Sequence, residues 1–515
     1  MESLSRTEKH SPDRSTILLA ALATGYALLH LAVIGRYGYF RDELYYLACG
    51  RHLAWGYVDH PPLIGLVARL IERFLGDSLP AVRLPAILAG ALAIAGTGIL
   101  ARELGGGRFA QALAAVGLAI APVYLFLFHI LSMNAFEPLF WTAAALVLLR
   151  LLQGGDPRLW LLFGAIAGLG LLNKHSMLLF GFGVFAGLLL TPERRLLKSP
   201  WPWLGGLLAA AIFLPNLLWE IENGWPTLEF ARNAETLKNV HDPVGFLAGQ
   251  ISLLNPLGLL LALVGLGAYL ALPALRRYRV FAWVYLILLG ILLVQASKPY
   301  YLAPLYPVLL AAGGVTVERW TAGPRGARWL RPAALGLAVA AGAVTAPITL
   351  PLLSEEGLIR YSAALGIQAS SGERMRRGLL PQHFADMHGW PELAATVAEV
   401  YDSLPEADRG HCGIFGQNYG EAAAIDLFGR RYGLPAALSA HNSYYLWGPH
   451  GDTGECLIVL NDRAERLGEI FAEVRRAGTF TCRYCMPYES EIPIHVCRKP
   501  KVPLSSLWPK IKKFV

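Results

Sequence analysis

Long apolar runs broken by short polar connections fill the first 350 residues. A helix needs about 20 apolar residues to cross a bilayer, and the runs recur near that length. The pattern predicts spans over 15–35, 80–100, 109–129, 136–152, 158–173, 175–191, 202–220, 246–271, 279–297, 299–317 and 330–350, about 11 in all. The pair covering 158–191 has almost no connecting loop and reads as a tight helical hairpin or a re-entrant element. The polar opening "MESLSRTEKHSPDRST" precedes a run too long for a signal-peptide core and without a small-residue cleavage site. Residues 1–14 are therefore expected to be a cytoplasmic N-terminus, with the first run retained as a span.

The periodicity changes after residue 351, and no further span-length run follows. Residues 352–515 read as a mixed α/β domain. "WPELAATVAEVYDSL" has helical spacing. "CGIFGQN" reads as a strand, followed by a helix "YGEAAAIDLFGRRY" that Gly433 and Pro435 end. "ECLIVLN" is a second strand, and "RAERLGEIFAEVRRAG" a further helix. "TFTCRYCM" and "IPIHVCR" predict a hairpin. Back in the first part, the long segment 36–79 holds two amphipathic stretches, "RDELYYLACGRHLAW" and "LIGLVARLIERFL", expected as helices lying in the membrane interface.

Composition and charge orient this frame. The chain is 55% hydrophobic and only 16% charged, against about 25% charged in soluble domains. With the N-terminus inside, the inner connections are "ARELGGGR", "RLLQGGDPR", "TPERRLLKSP", "LRRYR" and "ERWTAGPRGARWLR", each of them basic. The net charge of +8 follows from these loops and gives no ground for a nucleic-acid partner. The opposite assignment for 36–79 and the tail puts them outside, where all six cysteines then fall. That compartment permits disulfides. Cys482 and Cys485 form a CxxC pair, a weak metal signal without a second pair. If the tail pairs within itself, its five cysteines leave one over.

Candidate chemistry clusters at the outer ends of the spans. Asp42 and Glu43 follow the first span, and Asp59-His60-Pro61-Pro62 lies in the same loop. Asn134 and Glu137 open the fourth span, where an acid is costly. Lys174 and His175 interrupt apolar sequence, and Lys298 precedes Tyr300, Tyr301 and Tyr306. The bland readings are helix-start acids and interfacial anchors. Together, however, the groups make an outward cavity with acids on one part and cations on another. A general base can take a proton from a hydroxyl, and cations can stabilise a departing phosphate. At headgroup level this suits group transfer from a lipid phosphate.

The motifs "RDELYY", "VDHPPL", "GLGLLNKHSMLL" and "SKPYYLAPLYPVL" resemble those of the polyprenyl-phosphate-sugar-dependent glycosyltransferases of the GT-C fold, in particular protein O-mannosyltransferases and aminoarabinose transferases. The resemblance covers 15 to about 350. It implies a GT-C-like helical bundle and an inverting transfer of sugar from a polyprenyl-phosphate donor, with Asp42 as base and Glu43 beside it orienting the acceptor. It implies donor phosphate contacts from Lys174, Lys298 and His60; Asp59, Asn134, Glu137, His175, Tyr300 and Tyr301 are the further candidates around the substrate. His60 stands where lipid A branches have lysine, and Phe136 stands where the family has a second acid, with Glu137 and Asn134 as the alternatives. No cofactor is certain; a divalent cation at the acids is the open alternative, its ligands unknown. The acceptor is a lipid, glycan or protein. The implied location is a bacterial plasma membrane with the tail periplasmic. "LPQHFADMHGWPEL", "NYGEAAAIDLFG" and "HNSYYLWGP" resemble the outer domain of bacterial glycosyltransferases. "GQNYGE" reads as a structural turn or a phosphate-binding one, and the basic end "KPKVPLSSLWPKIKKFV" as a headgroup-binding or a solvated terminus. The rival reading is a transporter or flippase for a lipid-linked substrate, though no inverted repeat is visible. A non-catalytic scaffold would leave the acids unexplained.

Overall fold

The computed structural model describes residues 14–237, 241–295, 297–323, 327–367 and 376–515. All but the last residue of the expected cytoplasmic N-terminus thus lies outside the described residues. The bundle is built from α1 (Arg14–Leu31), α2 (Arg41–Arg51), α3 (Leu63–Phe74), α4 (Leu79–Glu103), α5 (Arg108–Ala119), α6 (Pro122–Leu127), α7 (Met133–Leu152), α8 (Leu159–Asn173), α9 (Met177–Leu189) and α10 (Trp201–Glu222). It continues with α11 (Pro226–Leu237), α12 (Pro243–Ala271), α13 (Arg279–Val294), α14 (Tyr306–Trp320) and α15 (Leu330–Thr349). Among the described residues eight helices are long and apolar enough to cross a membrane, or nine if the bent pair at 177–198 is one span. Every one of the expected spans is helical. The difference in number lies in short helices: α5 stops before Pro122 and α8 has 15 residues. The chain is an integral membrane protein.

Small residues set the closest helix contacts, as expected where helices cannot associate by expelling water. A Cβ at Gly164 of α8 would collide with the Gly205 carbonyl of α10. Within α12, Asn255 departs from helical geometry (φ 57°) just before Pro256. Its side-chain oxygen accepts the N–H groups of Leu257 and Gly258, both at 3.0 Å, and so restarts the helix beyond the break.

The bundle has two unlike ends. One gathers the basic connections, where Gln153 donates to the Glu103 carbonyl (2.8 Å) and Arg331 to that of Glu318 (3.0 Å). The other carries α2, α3 and the tail. The tail comprises α16 (Glu355–Ala364), α17 (Gln382–Ala385), α18 (Trp390–Asp402), α19 (Glu406–Arg409), α20 (Tyr419–Phe428), α21 (Ser443–Trp447), α22 (Ala464–Ile470) and α23 (Leu504–Ile511) around one sheet. Its strands are β1 (Cys412–Phe415), β2 (Ala437–Leu438), β3 (Cys456–Leu460), β4 (Phe471–Phe480) and β5 (Ile492–Pro500), in the order β2-β1-β3-β5-β4. β2, β1 and β3 run parallel, while β5 is antiparallel to β3 and β4.

Two expectations need correction. The helix expected over "RAERLGEIFAEVRRAG" ends at Ile470, and "FAEVRRAGTF" is β4. The β-branched and aromatic residues there pair with β5, so tertiary pairing overrides local helix preference. The second concerns α2. It does not lie open in a membrane interface: Leu44, Leu47 and Ala48 are buried in a core shared with Val397, Ile414, Ala423 and Ile458 of the tail. The loop helices and the tail are therefore one packed unit.

Cys412 is bonded to Cys456 across β1 and β3, and Cys482 to Cys485. Cys49 and Cys497 are free and buried. The CxxC pair is thus a disulfide, and Cys497 is the tail cysteine left over.

Candidate active site at the loop end of the bundle

The first turn of α2 presents Asp42 and Glu43 in opposite ways. Glu43 has no exposed surface, like Arg83 of α4, which it meets. Arg83 Nε and Nη2 donate to the two carboxylate oxygens at 3.0 and 3.1 Å. The backbone N–H groups of Phe40 and Leu131 donate to the same carboxylate at 2.8 and 2.9 Å. Glu43 is therefore a fastening between the first loop and the bundle, and its expected contact with acceptor does not fit. Asp42 keeps 30% of its side chain exposed. The Tyr419 hydroxyl of α20 donates to its Oδ1 at 2.8 Å, and Arg41 Nε lies 3.8 Å from the same oxygen.

Asp59 and His60 line the floor of the same loop. Asp59 accepts the Tyr45 hydroxyl at 2.8 Å, and Tyr45 is hydrogen-bonded to Ser443 of the tail at 2.7 Å. Burial raises the Asp59 carboxyl above its ordinary value, against the opposing pull of His60 and the Tyr45 bond. His60 is 1% exposed. Its ring is 5.1 Å from Tyr46 and 4.7 Å from Tyr57, with Nδ1 at 2.9 Å from the Pro61 carbonyl. A ring so enclosed cannot clamp a phosphate, and the expectation for His60 is corrected accordingly.

The third group forms where α7, α8, α9 and the turn before α14 meet. Lys174 Nζ donates to Asn134 Oδ1 and to Glu137 Oε2, both at 2.8 Å. Ser176 donates to the other Glu137 oxygen. The Lys174 ammonium also lies 4.7 Å from the Tyr301 ring centre, and Tyr300 packs edge-on against Tyr301. An ammonium has three donors, so two are committed and one is left. His175 pairs with Asn216 at 3.1 Å, and Asn216 donates to the Trp55 carbonyl at 2.8 Å. Lys298 caps the turn carrying Tyr300 and is half-buried.

Electrostatic interactions link these groups. Tyr300 lies within electrostatic reach of both Glu137 and Asp42, His175 within reach of His60, and Asp59 within reach of Asp42. Nearby, an apolar groove of about 670 Å³ runs between α8, α9 and α10, with Leu171, Met177 and Phe213 along it and Pro202 and Trp203 toward the basic end. Among the described residues no three His, Cys, Asp or Glu side chains converge on a metal position, and Glu43 turns from Asp42 to Arg83. Sequence reasoning missed Arg83, visible only as a lone cation in "LPAVRLPAIL", and Tyr419, whose partner is distant in sequence.

The sequence profile of the dolichyl-phosphate-mannose-protein mannosyltransferase family matches residues 59–219. No curated protein matches the sequence. Among solved structures, ArnT from Cupriavidus metallidurans bound to undecaprenyl phosphate superposes with a TM-score of 0.61 at 15% identity, covering 93% of this chain and 97% of that one. Its apo state gives 0.60 at 16% identity with the same coverage. The chain is therefore similar to ArnT in fold over nearly its whole length, and that fold is the GT-C fold its motifs resemble.

Proposed function

We propose that this chain is a membrane glycosyltransferase that moves a sugar from a polyprenyl-phosphate donor to an acceptor at the loop end of the bundle. One observation carries the reading: a partly exposed carboxylate, Asp42, lies within electrostatic reach of Tyr300, whose neighbour Tyr301 packs on the Lys174 ammonium, while Leu171 and Met177 on either side of Lys174 line an apolar groove. The family profile and the ArnT likeness agree with it, the latter having been seen with undecaprenyl phosphate.

In this reading the isoprenoid tail lies in the groove between α8, α9 and α10. The phosphate meets the uncommitted donor of Lys174, with Lys298 and the Tyr300 and Tyr301 hydroxyls around it. Asn134 and Glu137 hold the Lys174 ammonium in place, and His175 with Asn216 supports the adjoining wall. The acceptor oxygen or nitrogen attacks the anomeric carbon, and the bond from that carbon to the phosphate oxygen breaks. The polyprenyl phosphate leaves with the bonding pair, while Asp42 takes the acceptor proton. One displacement inverts the anomeric centre. The basic end faces the cytoplasm by the positive-inside rule, which makes the tail periplasmic in a bacterial plasma membrane.

The test is transfer in detergent from a panel of labelled polyprenyl-phosphate sugars (mannose, glucose, aminoarabinose) to extracted envelope lipids, glycans and proteins. Wild type should label one acceptor class, and Asp42→Asn should lose at least about a hundredfold in rate while still binding undecaprenyl phosphate. Unchanged transfer by Asp42→Asn removes Asp42 as base. Movement of the lipid across vesicles with no covalent product replaces the reading by a flippase.

A further inference from the structure

The tail reaches the candidate base directly, through the Tyr419 hydroxyl at Asp42. We infer that the C-terminal domain completes the active site, with Tyr419 as a positioning residue that fixes the Asp42 carboxylate for proton transfer. The inference rests on the functional reading above and adds a role for a domain that reading leaves idle.

Two helix starts meet here. Asp42 stands in the first turn of α2, and Tyr419 is the first residue of α20. The Tyr419 hydroxyl donates to Asp42 Oδ1 at 2.8 Å. Its ring stacks on Tyr45 at 4.6 Å and lies 4.9 Å from His441. The Arg41 guanidinium sits over the Tyr419 ring at 5.3 Å from its centre. A phenol packed against Tyr45, His441 and Arg41 has little rotational freedom, so its hydrogen bond fixes one carboxylate oxygen and leaves the exposed remainder of Asp42 for the acceptor. Arg41 is itself tied to the tail: its backbone N–H donates to the Asp386 carbonyl at 3.0 Å and its Nη1 to the Tyr488 hydroxyl at 2.6 Å.

The sequence is built to allow this approach. Asn418 caps α20, accepting the N–H groups of Gly420 and Glu421 at 2.8 and 3.0 Å. A Cβ at Gly420 would lie 2.6 Å from Arg41 Cγ and 2.8 Å from its Cδ. Glycine at 420 thus lets the start of α20 close onto the start of α2. The "GQNYGE" turn is the device that brings a tail hydroxyl to the base, with its helix start already filled by Asn418 and Glu421.

The experiment uses the full chain in detergent and the labelled polyprenyl-phosphate sugar that wild type transfers, with undecaprenyl phosphate as binding probe. Tyr419→Phe keeps the ring stack and removes the hydroxyl. The expected result is a fall in kcat of about tenfold or more, the worth of a hydrogen bond to a charged group, with donor KM and undecaprenyl phosphate binding within about twofold of wild type. In an Asp42→Asn background, the same change should leave the residual rate within about twofold, because the two groups act as one unit. Gly420→Ala, which pushes α20 off Arg41, should show the same kcat loss in the Asp42 background. A kcat for Tyr419→Phe within about twofold of wild type, or an equal fall with and without Asp42, overturns the inference and leaves the functional reading standing. If wild type transfers from no donor in the panel, the functional reading falls and the positioning role falls with it.

Discussion

Arg83→Met tests how the first loop is held. The guanidinium makes two hydrogen bonds to Glu43 at 3.0 and 3.1 Å, one to the Gly38 carbonyl at 2.7 Å and one to the Ile34 carbonyl at 3.0 Å. Methionine fills much of the volume but supplies no donor. Removing one partner of a buried ion pair costs about 3–5 kcal/mol, because the other charge is left uncompensated. Here the Phe40 and Leu131 N–H groups still reach Glu43, which favours the lower part of that range. The two abandoned carbonyls pull the other way, at about 1–3 kcal/mol for each one left unsatisfied. The net expectation is about 3–5 kcal/mol. Adding Glu43→Gln removes the buried charge, and the double variant should recover at least about half of the loss, since exchanging both members of such a pair is often close to neutral. Tryptophan fluorescence during unfolding in mixed micelles measures it. The folding equilibrium should fall by at least about a hundredfold for the single variant. A loss under about 1 kcal/mol, or a double variant no better than the single, would refute the view that Glu43 is spent on holding the loop.

Three further outcomes follow from the same geometry. Lys174→Met should weaken undecaprenyl phosphate binding by at least about tenfold in a calorimetric titration, whereas a structural lysine would leave it unchanged. Glu489 is buried, with Oε2 lacking a partner. Burial, then repulsion from Glu421, holds its carboxyl well above the ordinary value of 4.5. The folded chain keeps that proton to higher pH than the unfolded chain does, so stability falls as pH rises from about 4.5 through the raised native value. Glu489→Gln should flatten that fall and raise the unfolding midpoint at neutral pH, and a lowered midpoint there would count against it. Replacing Cys412 and Cys456 by alanine opens a loop of sequence separation 44 and should cost about 2–4 kcal/mol, read as faster proteolysis of the tail in the full chain. Equal proteolysis rates would argue against the bond's contribution.

What was legible in the sequence divides along a physical line. Each span carries its own signal in length and apolarity, so the helices of the bundle could be read locally, although the break at 120–122 that divides the run expected over 109–129 was not. Lys174 was visible for a similar reason, as a charge inside an apolar run. Contacts between distant segments carried no such mark. Glu43 and Asp42 are adjacent and alike on paper, yet one turns inward to Arg83 and the other toward Tyr419, 377 residues away. The helical rotation between consecutive residues, about 100°, is what separates them. Once α2 is clamped between bundle and tail, that rotation forces one acid into the core and leaves the other at the edge. The same clamp buries His60, whose sequence neighbours suggest a polar turn but whose space is closed by Tyr46 and Tyr57. The tail was read as a separate domain because its helix and strand pattern differs from the spans. Its core nevertheless includes α2 and α3, so the boundary that composition draws at residue 351 is not the boundary along which the site is assembled. The acid pair is therefore best understood as a division of labour set by packing: Glu43 fixes the helix, and the helix presents Asp42.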